Sequence, residues 1–233
     1  MSLRGRRGKV DIVHVDTVCL KNTKNGKMEL FSRESDPIKN ILPKDGIVHY
    51  HGKVFDPQSS DRYFDSLMAG IAWENDLAII FGKKIVTKRK VAWYGDRPFP
   101  YRYSGTEKIA LPWTEELLEI KQAMEKTSGE LYNSCLLNLY HTGEEGMAWH
   151  SDDEKELALD SAIASVSFGA ERKFAFKHKD SKEKVEVWLE HGSLLVMKGA
   201  TQSNWLHRLP PTKKVKSPRV NLTFRKMNGL SYR

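Results

Sequence analysis

Apolar and polar residues alternate along much of the C-terminal half of the chain. In residues 135–141, CLLNLYH, one face of an extended segment carries Leu136, Asn138 and Tyr140, and the other carries Leu137 and Leu139. AIASVSFG (162–169) and KFAFKH (173–178) alternate in the same way, and KVEVWLEHGSLLVMKG reads as a strand, a turn at Gly192 and a buried apolar run at 194–197. In RVNLTFR (219–225), Arg219, Asn221, Thr223 and Arg225 share one face, opposite Val220, Leu222 and Phe224. Helical spacing comes earlier in the chain. SSDRYFDSLMAGIAW places Tyr63, Phe64, Leu67, Met68 and Ile71 on one stripe, with Ser60 as the expected N-cap. TEELLEIKQAMEKTSG predicts a second helix, capped by Thr114, with Glu115 and Glu116 in its first turn and Gly129 just past its end. Many short strands after two helices predict an antiparallel double sheet or jelly roll, α+β in class, with helices packed on one side.

Residues 1–44 differ in texture. They are polar apart from VDIVHVDTVCL, which alternates like a strand; TKNGK holds an Asn-Gly turn, and DPIKNILPKDG reads as a connector ending at Gly46. The expected division is an N-terminal extension over 1–44 and one domain over 45–233. The N-terminal RGRRGK is either a basic arm that touches phosphates or a solvated tail.

Composition adds a partner class. The chain has 233 residues, a formal net charge of +8 and a pI near 9.3, a balance that suits a polyanion such as nucleic acid and also occurs in proteins that are merely basic. Two cysteines, far apart, make neither a disulfide framework nor a metal knuckle, and fit a reducing compartment. No apolar run approaches the roughly 18–20 residues of a membrane span, and no apolar segment behind the basic N-terminus marks a secretory signal.

Candidate chemistry lies in MAWHSDDEKEL. Alternation puts His150 and Asp152 on one side of an extended segment, and His207 in NWLHRLP is the best third ligand. Two histidines and a carboxylate can occupy one face of an octahedral metal and leave three positions open, as in non-haem Fe(II) oxygenases. His-x-Asp alone is common by chance; followed by strands, a histidine and Arg-x-Asn-x-Thr-x-Arg it is far less so. That arginine row, taken alone, is more often a solvated face. Inside a barrel mouth its guanidinium groups need pairing, which a small dicarboxylate supplies. His49 and His51 in HYH read as satisfied or surface histidines.

On NLYHTGEEGMAWHSDDEKEL, IASVSFGAERKFAFKHKDS, HGSLLVMKGATQSNWLHRLP and SPRVNLTFRK, the sequence resembles the AlkB-like Fe(II)/2-oxoglutarate-dependent dioxygenases, nearest the branch that demethylates double-stranded DNA. The resemblance runs from about residue 48 to 227 and implies a double-stranded β-helix core. It implies that His150, Asp152 and His207 hold Fe(II). Asn138, Tyr140, Arg219, Thr223 and Arg225 would hold 2-oxoglutarate, with Arg219 and Arg225 on its carboxylates. A nucleotide-recognition segment would occupy about 75–110. In it Phe81, with Gly82 and Lys83 beside it, would be the finger that fills the gap of a flipped base, and Tyr94, Gly95 and Asp96 would lie at the base pocket. Asp153 would touch the damaged base. The apolar wedge fits the need to flip a base before reacting with it, and the cations of KKIVTKRK and TKKVKSPR suit flanking phosphates.

The implied activity is DNA repair: oxidative removal of methyl groups from 1-methyladenine and 3-methylcytosine, with O2 and 2-oxoglutarate consumed and formaldehyde released. The expected protein is a monomer with DNA, preferably duplex, as partner and no membrane, nuclear in a eukaryote or cytoplasmic in a bacterium. Three readings compete. A dioxygenase of the same chemistry could act on RNA, protein or a small molecule; the basic excess and Phe81 favour nucleic acid. A non-catalytic nucleic-acid-binding module would be expected to lack a ligand or an arginine, and none is missing. A zinc enzyme could use the same trio, but the paired arginines favour a 2-oxo acid.

Overall fold

The computed structural model describes residues 36–80, 83–103 and 106–228. In chain order the elements are β1 (Ile47–Lys53), α1 (Pro57–Gly70), β2 (Glu74–Ile80), β3 (Lys83–Gly95), β4 (Pro100–Tyr103), β5 (Thr106–Ile109), α2 (Glu115–Ser128) and β6 (Ser134–Tyr140). Then follow β7 (Met147–His150), β8 (Ile163–Gly169), β9 (Arg172–His178), β10 (Lys184–Leu189), β11 (Ser193–Lys198), α3 (Thr201–Asn204), β12 (Trp205–Leu209) and β13 (Arg219–Arg225).

β13 is the middle strand of the large sheet, whose order is β1-β11-β8-β13-β6-β3-β2. Its register sets Arg219 opposite Tyr140 and Asn221 opposite Asn138 on β6. Val220, Leu222 and Phe224 pack with Leu137, Leu139 and Phe168 in the core that Leu67 of α1 and Leu117, Ile120 and Met124 of α2 complete. The period-two pattern therefore holds, but its polar face is not solvated: every residue of β13 is buried.

The second sheet, β10-β9-β12-β7, is also antiparallel. Part of the space between the sheets is filled by Val48, Ile163, Phe176, Leu195 and Trp205. The rest is a cavity lined by both sheets. The architecture is the jelly roll predicted from alternation, with α1 and α2 on the outer face of the large sheet. Leu42, before β1, is buried in the inter-sheet core, and Asn40 Oδ1 accepts from the Leu42 and Val48 backbone N–H groups.

Three local expectations change. Asp56, not Ser60, caps α1: its carboxylate accepts from the Ser59 N–H at 2.9 Å and the Ser59 hydroxyl at 2.8 Å, and Pro57 opens the helix. Ser60 is buried in the first turn, against Gly192. Gly192 has φ +76°, and a Cβ there would stand 2.2 Å from Ser60 Oγ, so the expected turn requires glycine twice over. Strands also precede α2: β1 forms one edge of the large sheet and β2 the other, with β3 between β2 and β6. In β3 the run of cations hides the alternation: Lys88 is exposed while the adjacent Arg89 is buried. Finally, the single turn α3 interrupts the strands just before His207. The strand expected at VDIVHVDTVCL and the turn at TKNGK lie outside the described residues.

Candidate metal and co-substrate site

β7 and β12 pair so that His150 and His207 are direct cross-strand partners, with ring centroids 4.2 Å apart. The chain leaves β7 after His150, and Asp152 turns back into the gap. Its Oδ1 is 3.7 Å from His150 Nε2 and 3.8 Å from His207 Nε2. One donor atom from each of the three residues lies within 4.8 Å of the others.

The protonation states suit a cation. His150 Nδ1 lies 2.9 Å from the Ala148 carbonyl, an acceptor, so that nitrogen carries the proton of this bond and Nε2 is the atom turned toward Asp152. Burial pushes the pKa of His207 down to about 3, so its imidazole is neutral. The short His207–Asp152 separation is therefore not an ion pair. Burial alone would raise the Asp152 pKa, but the net shift is downward, with the Arg225 guanidinium the largest opposing influence. Two imidazole nitrogens and a carboxylate oxygen thus converge, a set that fits a divalent cation. Arg225 donates to Asp152 Oδ2 at 2.7 Å, and the Asp152 N–H donates to Gln202 Oε1 at 2.9 Å. These bonds hold Oδ1 toward the histidines.

Beside the trio runs the polar face of β13. Arg219 donates to Ser167 Oγ at 2.9 Å and Asn221 Oδ1 at 2.6 Å, and Asn221 donates to Thr223 Oγ1 at 2.9 Å. The Arg219 guanidinium lies 5.5 Å from the Tyr140 ring centroid. Arg219 is 2% exposed, and burial lowers its pKa to about 10, which leaves it cationic at neutral pH. Among the described residues no carboxylate lies within salt-bridge distance of it. A buried cation without a counter-charge is costly, so this position fits an anionic ligand. The two arginines are not equivalent: Arg225 is already engaged by Asp152, while no acid among the described residues engages Arg219. Both line one cavity with the trio, Asn138, Tyr140 and Thr223.

Other expected residues lie elsewhere. Tyr94 belongs to the helix-facing core, and its hydroxyl accepts from the Ala72 N–H. Gly95 packs against Phe99 and the Asn133 carbonyl, and Asp96 accepts from the Trp113 indole at 2.7 Å. Asp153 is exposed and accepts from Ser151 Oγ. None of these four lines the cavity. Phe81, Gly82 and the side chain of Lys83 lie outside the described residues. His49 and His51 do not join the trio, and the buried Nε2 of His51 has no hydrogen-bond partner among the described residues. In KKIVTKRK, Arg89 is no solvent cation. It is buried in an ion pair with Asp76, and both line the cavity. The lysines of TKKVKSPR are exposed, as expected. Sequence reasoning missed Asp76, Arg89, Gln202 and Glu154 as neighbours of the site. Only Arg89 carried a signal, sharing a strand phase with Val91.

Comparison with known families decides the group. Residues 46–225 match the family described as the 2OG-Fe(II) oxygenase superfamily. The chain belongs to this superfamily. Fe(II) and 2-oxoglutarate are the groups its name specifies, and the trio and Arg219 fit them. Similar proteins include DNA oxidative demethylase ALKBH2 of Bos taurus, 46% identical over 64% of this chain and 56% of that protein. Alpha-ketoglutarate-dependent dioxygenase alkB homolog 3 of Homo sapiens is 37% identical over 73% of this chain and 62% of its own length. The ALKBH2 of Arabidopsis thaliana is 34% identical over 72% of this chain and 62% of its length. The chain thus spans about three-fifths of these relatives. The solved structure of OsALKBH1 superposes with a TM-score of 0.56 at 16% identity, covering 79% of this chain and 98% of that one, and shares the fold.

Proposed function

We propose that the protein is an Fe(II)/2-oxoglutarate-dependent dioxygenase that demethylates N-alkylated bases in DNA. One observation carries the chemistry: Arg219, a buried cation for which the described residues offer no counter-charge, shares a cavity with two histidines and a buried aspartate. His150, Asp152 and His207 would hold Fe(II). Arg219 would take a carboxylate of 2-oxoglutarate, with Asn138, Tyr140 and Thr223 beside it. Arg225 would act through Asp152 as well as toward the co-substrate. When bound, the iron and co-substrate supply the oxidising chemistry, converting O2 and 2-oxoglutarate to succinate and CO2 and an N-methyl group to formaldehyde. The protein orients these groups and screens them from bulk water between two sheets.

The DNA substrate rests on similarity to proteins named as DNA oxidative demethylases and on the +8 charge. A base methylated at N1 of adenine or N3 of cytosine is cationic. Two carboxylates follow Asp152, and Asp153 is exposed while Glu154 lines the cavity. Both match the sign of such a base. Phe81 would serve as the duplex finger, and the protein would work as a monomer wherever DNA is held. No helix among the described residues is long and apolar enough to cross a membrane.

The test is formaldehyde release from matched oligonucleotides carrying 1-methyladenine or 3-methylcytosine, as duplex DNA, single-stranded DNA and RNA. Release from DNA that needs both Fe(II) and 2-oxoglutarate is expected, with duplex preferred. Release from RNA alone would move the substrate to RNA, and no release from any of them would refute demethylation.

A further inference from the structure

Asp76 and Arg89 sit in the cavity wall, 3% and 6% exposed, and form an ion pair. Neither belongs to the metal trio or to the polar row of β13. A buried ion pair is costly to build, so its position invites explanation. The fold makes a specific provision for it. β2 and β3 pair regularly on either side, with Asn75 opposite Lys90 and Leu77 opposite Val86, and the register shifts between these pairs. Asp76 lies in that irregularity, beside the stretch of β3 that holds Arg89. Bulges of this kind re-aim a side chain.

From there Arg89 reaches the next strand. Its Nη1 donates to Asn138 Oδ1 at 3.0 Å and lies 3.4 Å from Met147 Sδ. Arginine is donor-only, so the oxygen of Asn138 must be the atom that faces it. The amide then has one orientation, and its NH2 group, the only part left to offer, is a donor. A donor is what a carboxylate or keto oxygen needs. Asp76 adds a second effect. An uncompensated Arg89 in this wall would itself attract a dicarboxylate. Paired, it leaves Arg219 as the cation in the cavity that lacks a counter-charge among the described residues.

We propose that Asp76 and Arg89 are positioning residues for the co-substrate: Arg89, neutralised by Asp76, locks the Asn138 amide with its NH2 toward 2-oxoglutarate and leaves the ligand's charge to Arg219. This rests on the reading of the cavity as a 2-oxoglutarate site.

The experiment is calorimetric titration of 2-oxoglutarate into the Mn(II)-loaded full chain, with a melting curve for each variant. Arg89→Lys keeps a cation for Asp76 but offers one ammonium where a fork spanned two partners. Arg89→Met with Asp76→Asn removes both charges together, so that no buried charge is left alone. Asn138→Ala removes the amide. Each is expected to weaken 2-oxoglutarate binding about tenfold, the scale of one hydrogen bond to a charged ligand. Adding Arg89→Lys to Asn138→Ala should cost nothing further, because the arginine acts through the amide. A purely structural role would lower the melting temperature and leave the affinity alone. Unchanged affinity in both Arg89 variants, or losses that multiply in the double variant, would overturn the proposal. Wild-type protein that fails to bind 2-oxoglutarate would overturn both it and the co-substrate reading; tight wild-type binding with unaffected variants would overturn the positioning role alone.

Discussion

Arg225 and Asp152, 73 residues apart in sequence, meet in a buried ion pair with Nη2 2.7 Å from Oδ2. The pair ties the strand expected to hold the co-substrate to the carboxylate expected to hold the metal. It also separates the roles of Arg225 and Arg219, which look alike in sequence.

That separation gives the first prediction. Arg219→Ala removes a buried cation that has no acidic partner among the described residues, so it should leave the unliganded fold as stable as wild type or more so. It should weaken 2-oxoglutarate binding by about ten- to a hundredfold, the loss of a charge-assisted bond worth about 1.5–3 kcal/mol. Arg225→Ala strands the buried Asp152 carboxylate and should cost about 3–5 kcal/mol of stability. Chemical denaturation of both variants, set beside their affinities, checks the contrast. Equal destabilisation would refute it.

The metal trio makes the second prediction. Mn(II) at a hundred times its dissociation constant should stabilise wild-type protein by about 2.7 kcal/mol, since it binds the folded state alone. His207→Ala should fold, lose that increment and lose iron-dependent turnover. Thermal unfolding with and without Mn(II) reads it directly. A full metal increment in His207→Ala would remove His207 from the ligand set.

Alkaline stability supplies the third. Burial pushes the Tyr132 pKa up from 10.0 to about 12, against the opposing hydrogen bond to Ser128. The folded state keeps this proton where the unfolded state loses it. The contribution is therefore complete below pH 10 and disappears as pH rises toward 12, with a slope of at most about 1.4 kcal/mol per pH unit. Tyr132→Phe should flatten that part of the stability profile. An unchanged slope would place the alkaline loss elsewhere.

The proposed finger role of Phe81 yields the fourth. Phe81→Ala should lower activity on methylated duplex more than on the matched single strand, because only the duplex has a stacking gap to fill. Side-by-side rates with a melting curve decide it. Equal losses with a lowered melting temperature, of the few kcal/mol a core truncation costs, would make Phe81 a packing residue.

What was legible in the sequence was local and periodic. The faces of β6 and β13 follow from alternation, and the cap of α2 from Thr114 and Gly129 at its two ends. The order His150, Asp152, His207, Arg219 suggested the site, because the strand period carries its spacing. What was hidden depends on register and on choices between similar groups. Asp56 and Ser60 can both cap a helix; Pro57, suited to a first turn, settles the matter for Asp56. Trp93 and Tyr94 face opposite sides of β3, and alternation alone does not say which side is the helix-facing core that takes Tyr94. Asp76 meets Arg89 only because the β2–β3 register slips, and Gln202 reaches Asp152 only because a single helical turn precedes β12.

The most direct test of the whole account measures succinate and formaldehyde together, on duplex DNA carrying 1-methyladenine, with wild-type protein and Arg219→Ala at limiting 2-oxoglutarate. The account predicts equal amounts of the two products from wild type, and both reduced in parallel by about ten- to a hundredfold in the variant. Formaldehyde formed by Arg219→Ala at the wild-type rate, or succinate formed by wild type without formaldehyde, would contradict it.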